Sequence, residues 1–253
     1  MPTNYGYFYR MNTSAFLFDL NGTMIDDMYY HIKAWHGIMN RLGAEISLEK
    51  MKEECYGKNE ELLERIFPGR FNQTEKLQLG TEKETKYRAD YKAELRLLPG
   101  LQTFLEKAKW EGIKMVIGSA AIMDNIDFVL DGLNIRHYFY AIVSADHVEQ
   151  SKPNPETYLK CVEFLQLDKR DCIVFEDTPK GVETARNAGL HAVVINTMHT
   201  PTEFENYPNI KGFAKDYTNI ESTLLKEFFQ QKEYDGIAPV IQHPSPKSNY
   251  TSQ

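Results

Sequence analysis

Cysteine is scarce in this chain: Cys55, Cys161 and Cys172 are the only three in 253 residues. They are too few and too scattered for a disulfide framework or a C-x-x-C metal site, which fits a reducing compartment and predicts a cytoplasmic protein. Long apolar runs are missing as well. No window approaches the roughly 18 residues that a membrane-spanning helix needs. The first 12 residues have neither an apolar core nor a small-residue cleavage site, so they read as a loose extension rather than a secretory signal. Positive charge is in deficit: 29 Lys and Arg against 36 Asp and Glu give a net charge of -7, so no global positive field exists to hold a nucleic acid or an anionic membrane. Residues 229–253, with their prolines and small polar residues, read as a disordered tail.

What remains is an ordinary globular composition, 42% apolar and 26% charged, with enough length for a full core. Five short apolar runs have the character of buried strands: AFLF (15–18), IKMVIG (113–118), AIVS (141–144), CIVF (172–175) and AVVI (192–195). Between the later runs lie helical patterns over 121–131, 155–166 and 179–188, punctuated by Pro155, Pro179, Gly132 and Gly189. Strand and helix alternate. The alternation predicts an α/β fold, a Rossmann-like doubly wound parallel sheet whose ligands gather beyond the carboxyl ends of the strands.

The first strand breaks this rhythm, because roughly ninety residues separate it from the second and they read as helices. Asp27 can cap a helix through Leu42, Ser47 starts a short one, Asn59 another ending at Pro68-Gly69, and Thr74 a long charged one reaching about Arg96. The domain plan is therefore a core of 13–27 and 98–228 with an α-helical cap inserted over 28–97. A long insertion there is placed to close over a substrate.

Four segments carry candidate chemistry. AFLFDLNGT delivers Asp19 and Asn21 from an extended chain, with Gly22 permitting a tight turn. VIGSAAIMDN sets Ser119 and Ala120 between a strand and a helix N-terminus, a cradle for an anion or simply an N-cap. SKPNPETY holds Lys152 in a proline-stiffened loop. IVFEDTPKG brings Glu176 and Asp177 to a strand end, where adjacent acids repel unless a cation neutralises them. Taken singly, each segment also fits a purely structural role.

In this order the four segments resemble the motifs of the haloacid dehalogenase superfamily. MYYHIKAWH, SKPNPETY and FEDTPKGVETARNAG further resemble its β-phosphoglucomutase branch, in which the helical insertion is a small cap. The resemblance implies phosphoryl transfer through Asp19 as nucleophile. It also implies Mg²⁺ held by Asp19, the Asn21 carbonyl, Glu176 and Asp177, with Lys152 and Ser119 stabilising the phosphate oxygens. The expected activity is a phosphatase acting on a small phosphorylated metabolite such as a sugar phosphate, by a monomer. A glucose-phosphate mutase is the nearest alternative and a non-catalytic phosphometabolite binder the second. On the cap, His31 and Trp35 share one helix face, by packing or as substrate contacts, while Lys58 and Asn59 lie in a turn that can meet substrate. Lys83, Lys86 and Arg88 read as a solvated helix face.

Two positions depart from the family pattern. Glu60 stands where the mutase branch presents Arg, which argues against a bisphosphate intermediate. Asn21 stands where the family has its acid–base Asp, and an amide cannot do that work, typically worth about a hundred- to ten-thousand-fold in rate. Five explanations stay open: an engineered change, substitution by another group such as His31, a substrate with a good leaving group, binding without catalysis, or deamidation at Asn21-Gly22.

Overall fold

The computed structural model describes residues 13–218 and Ile220; the expected N-terminal extension, the C-terminal tail and the end of the core lie outside the described residues. Ala15–Phe18 forms β1, followed by β2 Lys114–Gly118, β3 Ala141–Val143, β4 Cys172–Glu176, β5 His191–Ile195 and β6 Ile210–Ala214. All neighbours pair in parallel, in the order β3-β2-β1-β4-β5-β6. The central strands β1, β2 and β4 are apolar but for Lys114 and Glu176 at their ends, because helices cover both faces. Phe16, Phe18, Ile117 and Phe175 point to one face and Leu17, Val116, Val174 and Val194 to the other.

On the first face, Phe18 and Phe175 stack at 4.9 Å, and Phe104 of α5 (Leu101–Trp110) stacks on Phe16 at 5.4 Å. This face is also covered by α6 (Met123–Gly132); α7 (Glu156–Leu165) and α8 (Pro179–Ala188) cover the other. The strand β6 and helix α5 had no counterpart in the sequence reading. IKGFA alternates half-buried and exposed residues at the sheet edge, so it lacks the apolar run that marks the central strands.

Between β1 and α5 the chain forms α1 (Met28–Arg41), α2 (Leu48–Glu54), α3 (Asn59–Ile66) and α4 (Gln73–Tyr91). These helices own a separate small core of Ile32, Trp35, Ile38, Met39, Met51, Leu62 and Leu63. Two local expectations need correction. The long helix begins after Asn72, whose side chain accepts from the Glu75 N–H in a reciprocal capping box, rather than at Thr74, and it closes at Tyr91. Asp27 does precede α1, but its side chain caps no backbone N–H; it is committed elsewhere.

No helix among the described residues is long and apolar enough to cross a membrane.

Candidate active site

The strand order reverses at β1: β2 lies on one side and β4 on the other. That reversal opens a crevice beyond the carboxyl ends of β1 and β4, and pairing of Phe18 with Phe175 sets Asp19 beside Glu176 there. Asp19, Glu176 and Asp177 are all buried, and one carboxylate oxygen from each lies within 4.8 Å of the others. Lys152 reaches the cluster from its loop. Its Nζ donates to Asp19 Oδ1 at 2.7 Å, to Glu176 Oε1 at 2.5 Å and to the Tyr158 hydroxyl at 3.0 Å.

Three acids against one ammonium leave an excess of negative charge in a buried place. Burial, opposed by Lys152, pushes the Asp19 carboxyl up to about 7. Burial together with Glu176 and Asp19 pushes Asp177 well above the carboxylate range. Burial alone would lower Lys152, yet the Asp19 and Glu176 charges outweigh it and keep its ammonium protonated. A hard cation is the natural complement. The fit is visible at one atom: Asp177 Oδ2 is buried and accepts no hydrogen bond, while Oδ1 is taken by the Thr23 hydroxyl at 3.1 Å. Glu176 is differently placed, because Lys152 and the Tyr158 hydroxyl bind Oε1 and the Asp177 N–H binds Oε2. It holds its neighbours more than it offers a free oxygen.

Glycine makes the cluster possible. Gly22 has φ +75°, and a Cβ there would lie 2.1 Å from Asp177 Oδ2. Its carbonyl is pinned by the Thr197 hydroxyl at 2.7 Å. Gly22→Ala therefore costs about 1–2 kcal/mol of backbone strain and forces the Asp177 carboxylate aside. The expected result is a lower Tm in a thermal melt; a Tm equal to the parent's would refute the contact.

Above the acids lies a cavity of about 160 Å³. Asp19, Asn21, His31, Trp35, Asn59, Ala120 and Lys152 all line it, so one space gathers most of the expected residues from both the sheet and the helical insertion. Two others stand apart. Ser119 is buried behind the wall, its hydroxyl accepting from the Ala121 N–H at 3.1 Å, and the first N–H of α6 beyond it already binds Asp146 Oδ2 at 2.7 Å. Lys58 turns away from this cavity and donates to the carbonyls of Val148 and Glu149, at 2.7 and 3.4 Å.

The solvated helix face expected for Lys83, Lys86 and Arg88 is wrong for Lys83 and only partly right for Arg88, which is half-buried against Asn125. Lys83 is 4% exposed; its Nζ lies 2.7 Å from His31 Nδ1 and 2.9 Å from Glu84 Oε1. The helix α4 packs against α1, α3 and α6, and the side it turns to the cavity buries Lys83 and Glu84. Neighbouring Asp27 accepts from the Asn21 amide at 2.5 Å and the Tyr87 hydroxyl at 2.6 Å, which explains why it caps nothing. Asn21 Nδ2 also lies 3.1 Å from His31 Nε2. The Gly22 N–H donates to the Ile25 carbonyl at 2.9 Å, so the nitrogen that deamidation needs as nucleophile is engaged in the fold.

Sequence reading missed Thr23, Tyr158, Glu84 and Asn125. Tyr158 had a signal, since it closes the SKPNPETY segment on the buried side of α7. Glu84 and Asn125 had none, because a single polar residue on a helix is ordinarily solvated.

The model of one family, haloacid dehalogenase-like hydrolase, matches residues 16–195. The chain belongs to that family. Within this hydrolase family it is similar to fructose-1-phosphate phosphatase YqaB of Escherichia coli, 28% identical over 73% of this chain and 97% of that protein. It is also similar to β-phosphoglucomutase of Bacillus subtilis, 32% identical over 71% of this chain and 81% of that protein. Among solved structures, a family IA hydrolase from Entamoeba histolytica superposes with a TM-score of 0.76 at 26% identity, covering 85% of this chain and 97% of that one. β-Phosphoglucomutase from Clostridium difficile gives 0.74 at 26%, covering 86% and 97%. The chain is thus a haloacid dehalogenase-like enzyme of the phosphohydrolase or phosphomutase kind, with three carboxylates able to hold a metal ion.

Proposed function

We propose that this chain is a Mg²⁺-dependent phosphatase of a small phosphorylated metabolite, with a sugar phosphate as the substrate class. The observation that carries the reading is the contact of Lys152 with Asp19 beside the unpartnered oxygen of Asp177, at the crevice where the sheet reverses. The insertion over residues 28–97 serves as a cap that closes the site from solvent.

Asp19 is the nucleophile. Its carboxylate oxygen forms a bond to phosphorus as the ester P–O bond breaks, leaving an aspartyl-phosphate and an alcohol. Water then attacks that phosphorus, loses its proton to solvent, and releases inorganic phosphate as Asp19 is regenerated. Lys152 lies on Asp19 Oδ1 and is held there by Glu176 and Tyr158, so its charge is in place before the phosphate oxygens gain theirs. Asp19, Asp177 and the Asn21 carbonyl would hold Mg²⁺ with Glu176 behind them; when bound, the ion neutralises charge between nucleophile and phosphate. The backbone around Ala120 lies on the phosphate side, and His31, Trp35 and Asn59 belong to the substrate side, whereas Ser119, behind the wall, and Lys58, turned to the Val148 and Glu149 carbonyls, are left out of these roles. With Asn21 unable to donate a proton, the leaving oxygen takes one from solvent, and esters whose alcohol departs unaided are favoured.

The test is turnover of p-nitrophenyl phosphate with Mg²⁺ by the natural chain and by Asp19→Asn. The natural chain is expected to release phosphate and to carry a transient acid-stable, hydroxylamine-labile phosphoryl group. Asp19→Asn is expected to do neither. Absence of both in the natural chain refutes the reading. A mutase is favoured by the likeness to the β-phosphoglucomutases of Bacillus subtilis and Clostridium difficile. It would convert glucose 1-phosphate to glucose 6-phosphate faster than it releases phosphate.

A further inference from the structure

The wall of the cavity formed by the inserted helices and α6 is built around one buried anion that phosphoryl transfer does not use. Glu84 is 5% exposed, and its carboxylate is held from three sides. Oε1 accepts from Lys83 Nζ and from Asn59 Nδ2, both at 2.9 Å; Oε2 accepts from Asn125 Nδ2 at 2.7 Å. These donors come from α4, α3 and α6, so the cluster ties the insertion to the core across the cavity. Arg88 Nη1 fixes Asn125 in turn by donating to its Oδ1 at 2.7 Å. Burial alone would raise the Glu84 carboxyl, but the Lys83 charge, with His31 and the two amides, outweighs it and holds it down at about 2, so it is ionised at any working pH.

Behind this partition is a second cavity of about 280 Å³, sharing Gly57, Asn59, Glu84 and Ala120 with the first. Its wall is acidic, with Glu60 and Asp146, and its two lysines are already committed: Lys58 to backbone carbonyls and Lys76 to Glu64 Oε2 at 2.5 Å. A hydroxyl meets Glu84 and its partners well, because it can donate to the carboxylate while accepting from an amide or ammonium. A phosphate dianion only accepts, and on the side of the second cavity it would face Glu84, Glu60 and Asp146, with both lysines of that cavity already engaged.

We propose that the Asn59–Glu84–Asn125 partition with Lys83 is the specificity wall of the site, admitting an uncharged, hydroxyl-bearing leaving group and rejecting one that carries a second phosphate. This rests on the phosphatase reading and sharpens it to singly phosphorylated polyhydroxy compounds.

Calorimetric titration of the full chain, with Mg²⁺ present, by glucose 6-phosphate and by glucose 1,6-bisphosphate tests it without relying on turnover. The natural chain is expected to bind the monophosphate at least about tenfold more tightly. Glu84→Gln leaves the Lys83 charge unneutralised, so the ratio collapses, chiefly because the bisphosphate binds more tightly. Lys83→Met moves the ratio the opposite way. Neither a gain in affinity nor a pair of opposed shifts can come from a loosened fold. A natural chain that prefers the bisphosphate, or variants in which both ligands weaken in proportion, overturns the wall alone. Failure of the natural chain to bind either phosphate overturns the phosphatase reading and the wall with it.

Discussion

Asn21→Asp is expected to raise turnover of esters with poor leaving groups by about a hundred- to ten-thousand-fold, the ordinary worth of general acid–base catalysis. The amide already lines the cavity next to Asp19, so a carboxyl there needs no new geometry. Its surroundings are unusual, however. Asn21 Nδ2 donates to Asp27 Oδ2 at 2.5 Å, and the other Asp27 oxygen is buried without a partner. Two carboxyls at that separation cannot both ionise cheaply, so the pair keeps a proton to higher pH than an isolated Asp would. A retained proton is what the departing alcohol requires. The gain should therefore be large for glucose 6-phosphate and small for p-nitrophenyl phosphate, whose phenolate leaves without help. Steady-state kinetics of both substrates check this. Equal gains on the two, or none on the sugar phosphate, would remove Asn21 as the reason for slow chemistry.

Chelation of divalent cations is expected to reduce turnover to background and, separately, to expose a pH-dependent instability. The sign follows from the folded-state carboxyls. Burial pushes Asp19 up to about 7, and burial with two neighbouring acids pushes Asp177 well above the carboxylate range. The metal-free folded protein therefore binds more protons than the unfolded chain, whose Asp groups titrate near 3.8. Stability is full below that value and falls as pH rises towards about 7. A bound cation takes the place of those protons, so Mg²⁺ should raise Tm little at pH 5 and much more at pH 8. Melting curves with EDTA and with Mg²⁺ at the two pH values measure it. A Tm gain independent of pH would mean that the ion binds elsewhere. Asp177→Asn should remove most of the difference, because it removes both the repulsion and the ligand.

The sheet was largely legible because central parallel strands are buried on both faces and leave unbroken apolar runs, as in AFLF and CIVF. The edge strand over Ile210–Ala214 left no such run, since one of its faces meets solvent. The same logic governs the site. Asp19 and the Glu176-Asp177 pair stand out because they end apolar strands, whereas Glu84 and Asn125 sit within helices whose polar residues ordinarily face water. Lys83 misleads for that reason: charge on a helix predicts exposure, and only a second packed surface buries it.

What the sequence determined by itself was local: which runs are strands, where glycines and prolines stop helices, and that acids and one lysine stand where strands end. These follow from hydrophobic period and backbone sterics, which act over a few residues. Tertiary structure alone decided that Lys152 meets Asp19 across 133 positions, that Asp177 keeps one oxygen free while Thr23 takes the other, and that a lysine and a glutamate of the insertion are buried as a wall. Such choices depend on which strands pair and how helices seat on them. Those are set by the summed burial of the whole chain, not by any segment of it.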